Sequence, residues 1–518
     1  MVLLIHLGGE LFRVIKFTVV CVLILGLYSE AYGQGYYQST GSTSRTVPGQ
    51  AHSVYQSAVA QPQASDVPFQ PKSDVEMKFG DTPQVEPNPP MMHEMMMHEM
   101  MVEDCECDPM VMSEASKKED ESAGYNLTYK NGFLFAPKDE KKSPFSMRIN
   151  GRMQFRYSGF RPNATTSVNQ VGTVTNQSRS GFEIERARLE FRGFFYQPEL
   201  KYYFNLDADT DDNHTVIFHD FWVTYEFSEA LQIRVGKAKV PGSYEWWESS
   251  TTTRFADRSL STTFFRADRS TGVWFDGSNE DRGTFYQVGI TNGFFGADLD
   301  QGDIDDLFSY SGLFWWDPLG DFGSGYSDLK RTQTPLLRMG ATGAYSNQNS
   351  FANGNNTSEP NFARLSDGTQ LIATGALGPG LTVNDFDMFL VSGFMSGKYR
   401  GFSFNSEVYA RWIQDIDTVE GPRPDTDELF DAGFYTDVGY MLIPEKLEVN
   451  GRISNINGFF GNAWEYALGA NWFFNGNHKH KLTFDATRLD GAPAGSSSPN
   501  FEVGQNGILY RMQYQAAF

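Results

Sequence analysis

Cysteine is almost missing from this chain. There are three in 518 residues, too few for a disulfide framework. Long apolar runs are scarce too. The mean hydropathy is -0.42, and the longest run, Phe17 to Leu27, falls short of the roughly 20 residues that a spanning helix needs. A helical membrane protein is therefore excluded. Basic charge is in the minority, with 42 Lys and Arg against 64 Asp and Glu and a net charge of -22. That balance excludes non-specific nucleic-acid binding, which depends on a cationic surplus. There is no nucleophile-elbow motif, and nothing groups Ser243 with His214 or His219 as a triad would require, so no enzyme is expected. Glycine, at 50 residues, and aromatics, at 15%, are abundant. Acidic, polar, and rich in glycine and aromatics, the chain fits a large β protein.

The amino terminus reads as a targeting segment. Arg13 and Lys16 precede the apolar run, and Ala31-Tyr32-Gly33 supplies small residues where a signal peptidase cuts. Residues 1–33 are thus expected to be a signal peptide, with an uncleaved anchor as the alternative. Residues 34–124 carry no sustained periodicity and are dominated by Ser, Gln, Pro and Thr, the composition of a disordered periplasmic tether. Within it, Met91 to Met101 alternates methionine clusters with His93 and His98, and Cys105 and Cys107 follow. Thioether, imidazole and thiolate are soft ligands that suit copper(I) or zinc. A solvated, biased tract is the competing reading, since a Cys-x-Cys pair lacks the spacing of a standard zinc site.

After Lys142 the pattern changes. Met147, Ile149, Gly151, Met153, Phe155 and Tyr157 share one face, and Arg148, Asn150, Arg152, Gln154 and Arg156 the other. Period-two alternation of this length is a strand with one apolar and one polar face. Ala187 to Phe195 and Leu200 to Leu206 repeat it. Further segments begin near 216, 230, 271, 283, 307, 335, 385, 401, 433, 446, 464, 480 and 504, which predicts sixteen strands. The connections alternate short and long. Gln197-Pro198, Ser228-Glu229 and Pro444-Glu445 are short, whereas 159–181, 239–270 and 347–384 are long. The segment from Gly320 to Thr334 is too long for its place in that order. Alternate short turns and long loops describe a transmembrane antiparallel β-barrel. Phe194-Phe195-Tyr196, Trp246-Trp247, Trp315-Trp316 and Trp472-Phe473-Phe474 read as interfacial girdles. The terminal aromatic Phe518 after an alternating strand matches the signal for a barrel-assembly machinery. The expectation is an all-β fold, a 16-stranded barrel over 125–518 in the outer membrane, following the disordered extension.

Several segments resemble the phosphate-selective porin family, porins O and P. They are Lys130-Asn131-Gly132-Phe133 with Met147 to Gln154, Glu185 to Gly193, Val235 to Pro241, Arg269 to Val273, and Gly289 to Gly293. Single pieces are weakly specific, but five in the right order are strong. The resemblance implies a homotrimeric channel for small anions such as phosphate, in contact with outer-membrane lipid.

On a barrel strand the polar face points into the lumen. Arg148, Arg152 and Arg156 on one strand, Arg186, Arg188 and Arg192 on the next, and Lys201 beside them are therefore the pore-lining candidates. Arginine ladders select anions by replacing part of their hydration. Glu183, Glu185 and Glu190 could instead pair with these arginines in a structural network. The connection from Lys239 to Ser270 is the candidate constriction loop. Its Arg254, Arg258, Arg266 and Arg269 face Glu245, Glu248, Asp257 and Asp268, which suggests a transverse field of the general-porin kind. Over 145–518, 31 Lys and Arg stand against 45 Asp and Glu, a balance of -14. The acidic stretch Asp298 to Asp306 would repel anions at low salt. A general porin, and a structural envelope barrel whose tether binds cell wall or metal, therefore stay open as alternatives. No cofactor is expected, though acidic external loops such as Asp207 to Asn213 carry the oxygen ligands that calcium takes.

Overall fold

The computed structural model describes residues 124–518, apart from 139–143, 165, 209, 211–215, 297–306, 351–361, 421–423, 425 and 496–499. The signal and tether expectations, the Met/His/Cys tract, most of the Asp207 to Asn213 run and the Asp298 to Asp306 run lie outside the described residues. Among the described residues there are twenty strands. A hairpin, β1 (Tyr125–Tyr129) and β2 (Phe133–Pro137), comes first. Then follow β3 (Phe145–Pro162), a small hairpin of β4 (Thr166–Asn169) and β5 (Gly172–Thr175), β6 (Arg179–Phe195), β7 (Gln197–Asp207), β8 (Ile217–Ser228) and β9 (Leu231–Lys239). The rest are β10 (Arg269–Asn279), β11 (Thr284–Thr291), β12 (Ser309–Trp316), β13 (Leu336–Asn349), β14 (Thr382–Tyr399) and β15 (Phe402–Glu420). The last five are β16 (Leu429–Ile443), β17 (Leu447–Gly458), β18 (Gly461–Phe473), β19 (His480–Asp490) and β20 (Gly507–Ala517).

β3 and β6 to β20 pair antiparallel in sequence order, and β20 returns to β3 with Gly507 opposite Pro162 and Ala517 opposite Arg152. The result is a closed sixteen-stranded barrel. Closure removes every free sheet edge, the condition for strands to cross a bilayer. The sixteen alternating segments all become strands. The short turns are tighter than the sequence pattern suggests. Tyr196 alone joins β6 to β7, and Arg400-Gly401 joins β14 to β15 with both residues at positive φ (51° and 87°), as a type I′ hairpin turn requires.

The surface is inverted relative to a soluble protein. On β16 and β17, Val438, Tyr440, Leu442 and Val449 are exposed on the outer face, whereas Asp437, Glu448 and Arg452 are buried inside. Trp316, Trp472, Phe474 and Tyr196 stand exposed at the short-turn end, where girdle aromatics belong. Trp246-Trp247 is different. It lies on the inward-folded connection between β9 and β10 and lines the lumen. An aromatic pair at a strand exit carries the same pattern in either place.

Two connections depart from the simple picture. The turn between β17 and β18 is only Phe459-Phe460 although it lies on the long-loop side. The segment between β12 and β13, 317–335, folds into the barrel from the short-turn end and buries Phe322, Tyr326, Ser327 and Asp328, which explains its length.

The β1–β2 hairpin docks on the closure seam. β2 takes up pairing with β3 (Phe133 opposite Ile149, Phe135 opposite Met147) just below the point where β20 ends. Asn150 Nδ2 donates to the carbonyl oxygens of Asn131 (2.5 Å) and Phe518 (2.9 Å), and the Phe133 and Phe518 rings meet edge to face at 5.7 Å. Gly151 leaves room for the Phe518 ring, which a Cβ at that position would strike. Gly151→Val is thus expected to cost about 1–3 kcal/mol through overpacking. Its folded band on unheated gel electrophoresis should convert at a lower temperature than that of the wild type; an unchanged conversion temperature contradicts this seam.

Candidate functional site

The connection between β9 and β10 is the main occupant of the lumen. It carries two short helices, α1 (Tyr244–Trp247) and α2 (Leu260–Phe265). Each begins at a serine whose hydroxyl accepts from a backbone N–H: Ser243 from Trp246 and Ser259 from Thr262. α2 packs against β15 to β17, and α1 is tied to β15 and β17 through Glu407 and Arg452.

What holds them is a set of buried charges. Arg452 of β17 is wholly enclosed and pairs with Asp437 (2.7 Å), with Glu245 of α1 (3.2 Å) and with Glu465 (3.6 Å). Glu407 of β15 accepts from the backbone N–H groups of Tyr244 (2.7 Å) and Glu245 (3.0 Å). Arg254 donates to the Asp437 carbonyl, to the Ser403 hydroxyl and to the carbonyl of Tyr326, so it ties this loop to the inward segment from the opposite end. Asp485 accepts from Ala256 N–H (2.9 Å) and from Arg511 (2.8 Å). Arg338 pairs with Asp317 (2.7 Å) and Arg411 with Asp431 (2.6 Å). In this low-dielectric space an unpaired charge costs far more than a paired one contributes. Burial raises the Glu245 carboxyl, and Arg452 opposes that. Burial likewise pushes Asp257 up, but Arg156 and Arg186 outweigh it and hold the carboxyl below its usual range.

Toward the long-loop end apolar packing fills part of the lumen. Phe265, Phe294, Leu365, Leu371, Ile413, Ile456 and Leu509 form one buried cluster. The space left open is a cavity of about 920 Å³ along the wall of β3 and β6 to β10. Nine cations line it: Arg152, Arg186, Arg188, Arg234, Lys239, Arg258, Arg266, Arg269 and Arg364. Seven carboxylates face them: Glu185, Glu190, Asp207, Asp220, Glu248, Asp257 and Asp268. Arg188 pairs with Asp207 (2.6 Å), Arg269 with Asp220 (2.9 Å), Arg266 with Asp268 (3.2 Å), Arg186 with Glu185 (2.9 Å), and Arg234 with Asp276 (2.6 Å). Among the described residues, Arg152, Lys239, Arg258 and Arg364 have no carboxylate at ion-pairing distance. Lys239 Nζ and the Arg258 guanidinium donate only to backbone carbonyls of 245–248. Burial, with Arg186 beside it, lowers Arg258 to about 10, so it remains charged at neutral pH. Trp246 has the Arg258 and Arg266 guanidinium carbons each 4.5 Å from its ring centroid, at cation–π distance.

The sequence candidates divide among three places. Arg152, Arg186, Arg188, Arg258, Arg266 and Arg269 line the cavity. Arg156 and Arg254 are fully buried. Arg156 reaches Glu185 (2.9 Å), Gln513 and the Ala256 carbonyl and clamps the loop from the pore side. Arg148, Arg192 and Lys201 lie lower, toward the short turns, where Lys201 pairs with Glu226. The anchors Arg338, Arg411, Arg452 and Arg511 drew no attention in the sequence, although each occupies the polar phase of its strand.

A family model described as phosphate-selective porin O and P matches residues 148–516. No curated protein matches. Among solved structures, an anion-selective porin from Comamonas acidovorans is similar at 12% identity and a TM-score of 0.44, over 72% of this chain and 99% of that one. The channel DcaP of Acinetobacter baumannii is similar at 11% identity and a TM-score of 0.42, over 73% of this chain and all of that one. OmpT of Vibrio cholerae in a trimer form has 8% identity and a TM-score of 0.41, over 73% of this chain and all of that one.

Removing Arg452 strands Asp437, Glu245 and Glu465. Arg452→Ala is expected to cost about 3–5 kcal/mol of loop docking. The loop should become cleavable by added protease in the folded barrel, and open-channel current noise should rise. A loop as protected as in the wild type contradicts this anchoring.

Proposed function

The chain belongs to the phosphate-selective porin O and P family, an outer-membrane porin, and from that premise we propose that its cavity is a diffusion channel for small anions, phosphate among them. The observation that carries this reading is the set of lumen cations that, among the described residues, have no carboxylate partner, Arg152, Lys239, Arg258 and Arg364; of the lining carboxylates, Glu190 alone has no described ion pair. Cross-strand register supports it. Arg152 stands directly opposite Arg188. Like charges placed so are destabilising by themselves, and a passing anion relieves the repulsion. Selectivity of this kind is local, so it is compatible with a net charge of -22.

In this proposal the long loops face outward and the short turns face the periplasm, with residues 34–124 as a periplasmic tether. The barrel assembles as a homotrimer, as the family resemblance implies, and its terminal Phe518 serves the barrel-assembly machinery. A second reading, a general porin with a transverse field, draws on the near balance of nine lining cations and seven carboxylates.

Reversal potentials in a potassium chloride gradient separate the two. The anion reading expects chloride preference, reduced roughly threefold by Arg152→Ala and again by Arg258→Ala, because each removes one unneutralised charge from a confined pore. Arg148→Ala, outside the cavity, should change it little. A wild-type preference for potassium overturns the anion reading.

A further inference from the structure

The outer part of the cavity is lined differently from its middle. Phe264 and Phe501, with Val503 and Ala494, come from the inward loop and from the β19–β20 connection, and Phe295 and Phe362 come from two other long connections. Phe295 and Phe362 are half-buried and stack on each other with ring centroids 4.2 Å apart and planes 19° apart. The guanidinium of Arg266 bridges the two regions. Its carbon is 5.6 Å from the Phe295 ring centroid and 4.5 Å from that of Trp246. Arg364, whose guanidinium donates to the Gly368 carbonyl, borders the same aromatic patch.

For an inorganic anion this patch is of no use. Phosphate gains nothing from an aromatic face, and partly exposed aromatic surface in a water-filled mouth has a cost that a ligand can relieve. A patch of rings beside Arg364, which among the described residues has no carboxylate partner, and Arg266, which pairs with Asp268, is the lining expected for a solute with an apolar body and a single anionic group. We propose that the half-buried Phe295 and Phe362, backed by the buried Phe264 and Phe501, form a binding subsite for aromatic carboxylates, which lay the ring on the phenylalanines and turn the carboxylate toward Arg266 and Arg364. This rests on the anion-channel reading and narrows it to a solute class.

Benzoate and gluconate test it, because each carries one carboxylate and only benzoate has an apolar ring. In planar bilayers containing the purified full-length protein, benzoate should half-block the chloride current at a concentration at least tenfold below that of gluconate. The double substitution Phe295→Ser with Phe362→Ser should abolish the difference while leaving the chloride reversal potential and unitary conductance at wild-type values, which also reports correct folding. Equal block by the two anions in the wild-type channel overturns the proposal, and so does a benzoate preference that survives in a conducting double variant. Should the variant not conduct, the single substitution Phe362→Leu, which keeps the apolar packing but loses the aromatic face, is expected to cut the preference at least threefold, and an unchanged preference again overturns the subsite. Chloride selectivity with equal block would sink the subsite alone, whereas potassium selectivity would sink the anion reading beneath it.

Discussion

The structure depends on one constraint: a charge inside a closed barrel must find its partner inside that barrel. The outer face is mostly apolar, so the polar phase of each strand is turned into the lumen. Arg452 shows the consequence. It answers Asp437 on the adjacent strand, Glu245 on the inward loop and Glu465 on the next strand at once. No one of these is tolerable alone, so the loop is held against that wall. Arg254, Arg411 and the Asp485–Arg511 pair extend the same fastening around half of the barrel.

Once one half is filled, the channel has to run along the other. The open cavity follows β3 and β6 to β10, where arginines outnumber the carboxylates that neutralise them. Function and stability therefore use the same residue type differently. Arg156, fully enclosed and contacting Glu185 and Asp257, belongs to the fastening. Arg152, four residues away on the same strand face and with no ion-pair partner among the described residues, borders the open cavity.

Much of this was legible in the sequence. Sixteen strands could be read because lipid on one side and water on the other impose a period of two that no loop packing disturbs. The inward loop and six of its wall and loop arginines could be read from position in the barrel order. Alternation could not reveal which part of the lumen is filled, because a buried anchor and a pore-lining cation occupy the same phase. Arg156 and Arg254 are indistinguishable by pattern from Arg152 and Arg258. Trp246-Trp247 was misplaced for a related reason, since aromatic pairs at strand exits serve equally at the lipid interface and against guanidinium groups in a pore. The Phe295–Phe362 stack joins residues 67 apart in the chain, and nothing local announces that contact.

The central claim is a lumen divided into a packed half and a cationic channel. Paired cysteine accessibility tests it most directly. In a background with Cys105 and Cys107 replaced by serine, Ser249→Cys lines the channel and Ser454→Cys lies in the packed half. An anionic thiosulfonate should modify the first rapidly and faster than a cationic reagent of equal size, and neither should modify the second in the folded barrel. Modification of the second position at a comparable rate, or faster reaction of the cationic reagent at the first, would contradict the account.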